Sequence, residues 1–263
     1  VADGQKFVSV HKAGYLAEAD EARISLTPKH SRYLKISEGC DHACSFCVIP
    51  ELRGRYRSRH IADLVQEAKR LVDEGAKEIV VIGQDITRFG WDYAGKSLLP
   101  QLLEALGTLR DLKWIRLLYT YPSTLTDEMI SVIASSKKIC RYIDLPLQHI
   151  SDRILQAMRR GSTKKQILEL IQKLRARIPE VVIRTSFIVG FPGETEQDFE
   201  ELLAFMSEVK FERLGIFQYS QEEGSAAAEL PDQVPEKVKE ERYHRAMQLQ
   251  QGIIREIHRR YLG

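Results

Sequence analysis

Strand-like segments alternate with helix-like segments along most of this chain, and this alternation constrains the fold more than any other feature. Six segments with strand character lie between Tyr33 and Ser220: YLKISE, KEIVVIGQ, WIRLLYT, RYIDLPLQ, VVIRTSFIVGF and LGIFQYS. Amphipathic segments typical of helices begin near Ser58, Leu98, Thr126, Thr163 and Phe199, and a charged helix follows from about Glu236. Such alternation forms parallel sheets with helices packed on one or both faces. The sequence therefore predicts an α/β fold.

The strands carry polar side chains on one face only. In the fifth strand, Ile183, Phe187 and Val189 share one face, and Arg184 and Ser186 lie on the other. A complete eight-stranded barrel usually fills its interior with branched apolar side chains, which this pattern fits poorly. We therefore expect an open, six-stranded partial (β/α)6 barrel whose lumen is lined by polar groups, although some of these residues could be strand ends that face water.

Three of the four cysteines lie in one short segment, SEGCDHACSFC, directly after the first strand. Parallel α/β folds place their sites at that end of the strands. Cys40, Cys44 and Cys47 could surround one inorganic centre, and three thiolates on a four-iron cluster leave one iron open. His42 could instead complete a zinc site with the three cysteines. Cys140 is expected to be a small buried apolar residue.

The composition excludes several classes of protein. The chain has 39 basic and 37 acidic side chains, a net charge of +2 that gives no strong attraction to nucleic acid or membranes. No apolar run is long enough to span a bilayer, and the N-terminus does not resemble a secretion signal. Clustered cysteines without an even set of partners indicate metal binding in a reducing compartment. We expect a cytoplasmic protein with no membrane partner.

Longer motifs resemble one family of enzymes. YLKISEGCDHACSFCVIPELRGRYRSR and SFIVGFPGET are similar to the methylthiotransferases of the radical S-adenosylmethionine superfamily. GQDITRFG, WIRLLYTYPSTLTDEMI, YIDLPLQHISDRILQAMRRGST and FQYSQEEGS resemble the branch that modifies a ribosomal protein. The resemblance implies a 4Fe-4S cluster that reductively cleaves S-adenosylmethionine to a 5′-deoxyadenosyl radical. The expected product is a methylthio group on the β-carbon of an aspartate in small-subunit ribosomal protein twelve.

The resemblance also assigns roles to residues of this chain. The cluster ligands it implies are Cys40, Cys44 and Cys47. Around the adenine of S-adenosylmethionine it places Phe46, Ile188, Val189 and Gly190, and at the methionine amino group it places Gly83, Gln84 and Asp85. It places Asp144 and Gln148 at the ribose and methionyl end. Arg184 is placed at the carboxylate, and Ser186 lies on the same strand face. Strand parity and the guanidinium fork agree with the assignment of Arg184. The alternative for Arg184 is a salt bridge with Asp144.

Two groups of arginines remain ambiguous. Arg53, Arg55, Arg57 and Arg59 occupy every second position and could hold the cofactor's acidic end, an acidic peptide or RNA. A solvated loop explains at least two of them equally well. The same holds for the pair Arg159 and Arg160.

The chain divides into three expected regions. Residues 1–31, with a strand-like stretch at 23–27, lead in from a domain that binds a second cluster; 32–222 form the barrel; 223–263 form a loop and a helix leading to a TRAM domain. Four thiols cannot ligate two clusters, so we expect only the central radical domain here. The expected partners are ribosomal protein twelve or the ribosomal particle and an electron donor. The alternatives are a tRNA methylthiotransferase, the one case with a nucleic-acid partner, and a zinc-stabilised binding module without activity.

Overall fold

The computed structural model describes residues 14–19, 21 and 28–259, so the strand-like stretch at 23–27 lies outside the described residues. The strands are β1 Ser31–Lys35, β2 Ser37–Glu38, β3 Arg57–Ser58, β4 Glu78–Ile82, β5 Trp114–Leu117, β6 Ile139–Asp144, β7 Val182–Val189 and β8 Arg213–Gln218. The helices are α1 Ile49–Arg53, α2 Ile61–Asp73, α3 Trp91–Ala94, α4 Leu99–Gly107, α5 Asp127–Ser135, α6 Asp152–Ala157, α7 Lys164–Arg177, α8 Glu196–Val209 and α9 Glu236–Arg259.

Six of these strands form one parallel sheet in chain order. The order is β1-β4-β5-β6-β7-β8, and every neighbouring pair is parallel. Strands β1 and β8 are the two edges, so the sheet is open, as the sequence predicts. The other two strands, β2 and β3, form a two-residue antiparallel ribbon beside the sheet.

The period-two pattern separates the two sheet faces as expected. Along β7, Ile183, Thr185, Phe187 and Val189 are fully buried. Arg184 on the opposite face is only partly buried. The apolar face packs against the helices and forms the main core, which α9 extends through Ala246, Ile253 and Ile257. Polar residues therefore remain on the inner face of the sheet.

Local capping signals position most of the helices. Thr163 and Gln166 form the predicted capping box of α7. Thr195 and Asp198 form a second one at α8, whose predicted start at Phe199 was three residues late. Burial alone would raise the pKa of Asp198, but the hydrogen bonds that it accepts from Ser151 and Thr195 outweigh burial and lower it.

Two further predicted boundaries were wrong. Ser58 does not begin a helix: its hydroxyl accepts a hydrogen bond from the Gly90 N–H at 2.8 Å, it belongs to β3, and α2 starts at Ile61. The fourth predicted strand ends at Asp144, and the chain resumes pairing only at Gln148, which bridges to Phe187. Pro146 lies between them and has no N–H to donate to a strand ladder.

Among the described residues, no helix combines the length and apolar character needed to cross a lipid bilayer.

Candidate functional site

A cavity of about 650 Å³ opens at the carboxyl ends of the parallel strands. Nine of the residues predicted to bind a cluster or cofactor line it: Cys40, Cys44, Cys47, Phe46, Gly83, Gln84, Gln148, Arg184 and Ser186. The other five predicted residues, which do not line it, are Asp85, Asp144, Ile188, Val189 and Gly190. None of the lining side chains is a carboxylate, whereas Lys35, Arg160 and Arg184 are cationic.

The cysteine loop is held at its base by a close backbone approach. Gly39 has a φ of +79°, and a Cβ atom there would lie 2.2 Å from the Arg55 carbonyl oxygen. The Cys40 N–H donates to the Gly54 carbonyl at 3.2 Å, and the Tyr56 N–H donates to the Asp41 carboxylate at 3.0 Å. Because only glycine fits this conformation and this space, Gly39 fixes where the loop leaves the sheet.

The middle of the loop is fastened to the far side of the cavity. The Ser45 hydroxyl donates to the Ala157 carbonyl at 2.8 Å, and its N–H donates to the Met158 carbonyl at 3.1 Å. The Ala227 N–H in turn donates to the Ser45 carbonyl at 2.7 Å. These bonds join the loop to the end of α6 and to the segment that follows β8.

Each of the three thiols is half-buried and accepts a hydrogen bond. The donors are the His42 N–H to Cys40 Sγ at 3.4 Å, the Ile49 N–H to Cys47 Sγ at 3.5 Å, and Arg160 Nη1 to Cys44 Sγ at 3.4 Å. Burial raises the pKa of the Cys40 thiol to about 11 and also raises the pKa of Cys47. Thiols with raised pKa values are poor free nucleophiles at neutral pH, whereas a metal centre would deprotonate them.

This donor set fits an iron–sulfur cluster better than a zinc ion. His42 Nε2 lies 2.6 Å from Asp85 Oδ2 and its ring stacks on Tyr121 at 3.7 Å, and the imidazole does not form a group with the cysteines that could hold a single ion. Within residues 14–19, 21 and 28–259, no three His, Cys, Asp or Glu side chains converge on a single-ion site. A cluster does not require that convergence, since its thiolates bind different irons, and N–H···S bonds are among the interactions that tune such clusters.

Arg184 and Asp144 face each other on neighbouring strands. Arg184 Nη1 lies 2.8 Å from Asp144 Oδ1, the salt bridge that the sequence left as an alternative. Asp144 is buried, and its Oδ2 accepts the Tyr119 N–H at 3.0 Å. Burial alone would lower the pKa of Arg184, but the hydrogen bond and charge of Asp144 raise it. Both carboxylate oxygens are therefore occupied, and the Arg184 guanidinium is held at the cavity wall.

A family model described as the radical SAM superfamily matches residues 34–206, which contain the cysteine loop and most of the cavity. This chain belongs to the radical SAM superfamily. Structures of the superfamily share the architecture: the Escherichia coli coproporphyrinogen III oxidase HemN, described as a radical SAM enzyme, aligns with a TM-score of 0.62 at 17% identity over 84% of this chain and 52% of its own. The methyltransferase TsrM from Kitasatospora setae aligns with a TM-score of 0.61 at 20% identity over 74% and 39% of the two chains. At these identities the likeness concerns the fold alone.

Relatives of much higher identity share one name. A protein of Pelotomaculum thermopropionicum named ribosomal protein uS12 methylthiotransferase RimO is 53% identical over 96% of this chain and 57% of its own length. The protein of the same name from Desulforamulus reducens is 55% identical over 91% of this chain and 54% of its own. The chain thus spans a little over half the length of these relatives.

The predicted cofactor residues of this radical SAM domain separate into lining and supporting groups. Asp85 is buried; its Oδ1 accepts the Thr87 N–H at 2.9 Å and its Oδ2 contacts His42. Gln84 donates to Glu38 at 3.3 Å, and its carbonyl oxygen has no partner among the described residues. Gln84 is thus the residue of its triplet that offers a free acceptor to the cavity.

The predicted adenine-flanking segment also divides. Ile188 packs in the same small apolar cluster as Phe46, whereas Val189 faces the main core under the helices. Gly190 has a φ of +73° and sits over Lys239, whose Cγ would lie 2.3 Å from an added Cβ. Ile188 and Phe46 therefore share a side of the radical SAM barrel that Val189 does not reach.

Arg160, which the sequence left ambiguous, is half-buried against Cys44. Tyr121 and Lys35 also line the cavity, although no role in the site was predicted for them. Of the alternating arginines, Arg59 is buried in ion pairs with Asp63 and Glu67. Arg53 and Arg55 are exposed, as the solvated-loop interpretation predicts. Cys140 is half-buried rather than buried, because it lies at the start of β6, where the sheet meets solvent.

Proposed function

We propose that this chain is the radical domain of a methylthiotransferase that acts on an aspartate of ribosomal protein uS12. The observation that carries the proposal is the set of three hydrogen-bonded thiols on one loop, facing a cavity that contains cationic but no acidic side chains. The identity of about 50% with proteins named RimO supports the substrate.

In this proposal Cys40, Cys44 and Cys47 hold a 4Fe-4S cluster. A bound cluster would supply the electron for reductive cleavage of the sulfonium bond of S-adenosylmethionine. The carbonyl oxygen of Gln84 accepts a hydrogen bond from the methionine ammonium group, since it is a buried acceptor without a partner among the described residues. Arg184 pairs with the methionine carboxylate, held in place by Asp144.

The remaining predicted residues shape the pocket. Phe46 offers an apolar wall for the adenine, Ile188 packs in the same apolar cluster as Phe46, and Ser186 and Gln148 supply hydrogen-bonding groups nearby. Asp85 acts indirectly by holding His42, and the turn at Gly190 ends the strand that carries Ile188. Val189 supports the same strand from the core side.

The choice of an aspartate of uS12 over a tRNA base is supported by the relatives, which are named for uS12. In the complete enzyme we propose that residues 32–222 are the radical barrel and that the segments outside it connect to a second cluster domain and a TRAM domain. Such an enzyme works in the cytoplasm with an electron donor.

The proposal is tested first on this chain. After anaerobic reconstitution we expect iron and sulfide at one 4Fe-4S cluster per chain, and slow release of 5′-deoxyadenosine from S-adenosylmethionine with a strong reductant. A Cys44→Ala variant should lose both, while a Cys140→Ala variant should retain both. Zinc as the sole bound metal would refute the proposal and favour a binding module.

The substrate is tested on the complete enzyme. It should add a methylthio group to an aspartate of uS12 in small ribosomal subunits, detected by peptide mass spectrometry. Modified tRNA with unmodified uS12 would instead support the tRNA alternative.

A further inference from the structure

Arg160 makes three contacts at the edge of the cluster loop. Its Nη1 donates to Cys44 Sγ at 3.4 Å, its Nη2 donates to the Pro146 carbonyl at 2.7 Å, and its guanidinium carbon lies 4.1 Å from the centroid of the Tyr121 ring. A planar fork that is bonded at two corners and stacked on a ring has little freedom to rotate. The donor to Cys44 is therefore fixed.

The stack continues beyond Tyr121. The ring of His42 lies 3.7 Å from the ring of Tyr121 with an interplanar angle of 7°, and Asp85 holds the imidazole from its far edge. We call Arg160, Tyr121 and His42 the arginine stack. It runs from Asp85 on one side of the loop to Pro146 on the other, so both the charge and the donor of Arg160 are held in place against Cys44.

The charge of Arg160 is not neutralised within the part of the chain that the structure describes. Three other arginines that are partly or fully buried have carboxylate partners: Arg184 pairs with Asp144, Arg59 with Glu67 and Arg242 with Glu194. Among residues 28–259, the partners of Arg160 are a carbonyl, a thiol and an aromatic ring. Its full positive charge therefore acts on Cys44.

We propose that Arg160 is a positioning residue that raises the reduction potential of the cluster through its hydrogen bond and its charge at Cys44. The inference rests on the proposed function, because it requires a cluster on Cys40, Cys44 and Cys47. Reduction adds negative charge to the cluster and its thiolates, and a cationic N–H donor stabilises the reduced form more than the oxidised form. The arginine stack holds the donor ready, so no reorganisation is needed when the electron arrives.

The test is a potentiometric titration of the reconstituted chain, with the reduced cluster followed by electron paramagnetic resonance. Replacing Arg160 by Met removes the charge and the donor but keeps an unbranched side chain in place of the apolar stem of arginine. We expect the equilibrium constant for reduction to fall at least tenfold, which for a one-electron couple is about 59 mV toward negative potential. Arg160→Lys, which retains the charge without the planar fork, should fall between the wild type and Arg160→Met.

Arg159→Met is the matched control. Arg159 is the neighbouring residue, is exposed, and its replacement removes the same unit of charge. We expect the equilibrium constant for reduction of the cluster in Arg159→Met to lie within twofold of the wild-type value. If Arg160→Met does not assemble a cluster, Arg160→Gln becomes the deciding variant. Its cluster should have a lower reduction potential than the cluster of the Arg159→Met control.

The outcomes separate this inference from the proposed function. A wild-type chain that assembles no cluster refutes the proposed function and this inference with it. Intact clusters in every variant, with Arg160→Met at the potential of the control, would refute the inference alone. Equal shifts in Arg159→Met and Arg160→Met would also refute it, because they would show a general effect of net charge.

Discussion

Arg242 fastens the last helix to the end of the strand that forms one wall of the cavity. On α9, its Nη1 donates to Glu194 Oε1 at 2.8 Å and to the Glu194 carbonyl at 3.1 Å. The other carboxylate oxygen of Glu194 accepts the Gly190 N–H at 3.0 Å and lies 3.5 Å from His149 Nε2. All three side chains are buried. We therefore expect Arg242→Met to destabilise both the fold and this end of the cavity.

The magnitude follows from burial. Removing one partner of a buried charge pair costs roughly 3–5 kcal/mol, because the other charge is left without compensation. The additional contact of Arg242 with Glu196 at 3.3 Å is on an exposed carboxylate and adds at most about 1 kcal/mol. The free energy of unfolding should thus fall by roughly 3–5 kcal/mol. For a chain of this size, Tm should fall by roughly 2–4 °C for each kcal/mol lost. Met retains most of the apolar stem, so lost packing is a smaller part of the effect.

Urea unfolding measures this loss, and Arg245→Met is its control. Arg245 lies on the same helix and covers the same Phe199 ring, at 4.9 Å against 5.5 Å for Arg242, but its ion pairs with Glu196 and Glu200 are at the surface. Arg245→Met should therefore lower the free energy of unfolding by about 1 kcal/mol or less. Adding Glu194→Gln to Arg242→Met should cost less than the sum of the two single changes. Equal losses for Arg242→Met and Arg245→Met, or strict additivity, would show that the buried charge does not contribute as we argue.

Three further outcomes are expected. Asp198→Asn should lower the free energy of unfolding by about 2 kcal/mol at pH 7. Hydrogen bonds that outweigh burial lower the folded-state pKa of Asp198, so the difference between wild type and variant should shrink as the pH falls below the ordinary value of 3.8. Urea titrations at several pH values measure this difference. Gly39→Ala should greatly reduce iron incorporation, since its Cβ meets the Arg55 carbonyl, whereas Gly95→Ala, at φ +67° with no atom within 4 Å of the added Cβ, should incorporate iron normally. Cys140→Ser should leave iron content and the absorption spectrum of the cluster unchanged, and a loss of iron there would contradict a ligand set confined to the loop.

The features that the sequence predicted are those set by local geometry. Strand periodicity is a property of the backbone, so the face of Arg184 could be read from residue spacing. Its pairing with Asp144 depends on strand register, and was predicted from the sequence only as an alternative. Thr163 and Gln166 matched the capping box, while the second box at α8 was missed because its third residue, Asp198, is neither Glu nor Gln. Within one turn of chain the sequence is therefore informative, but only where the residues match a known capping signal.

The features that the sequence did not predict depend on contacts between distant segments. Arg160 and Cys44 are 116 residues apart in the chain, and no periodicity connects them. His42 was considered as a metal ligand because of its place in the loop, but its partner Asp85 lies 43 residues away. A charged residue next to another arginine is usually solvated, and only the tertiary packing of α6 against the loop reverses that expectation for Arg160.

The division between the two sheet faces also explains how the site can vary while the fold persists. Along β7 the side chains that face the helices are fully buried and fix the sheet, whereas Arg184 and Ser186 on the inner face contribute to the cavity. Substitutions on the inner face therefore change the chemistry of the cavity at little cost in core packing. Substitutions on the outer face disturb the core and leave the groups in the cavity unchanged. HemN retains this sheet with a TM-score of 0.62 at only 17% identity, which is the degree of sequence freedom that such a separation permits.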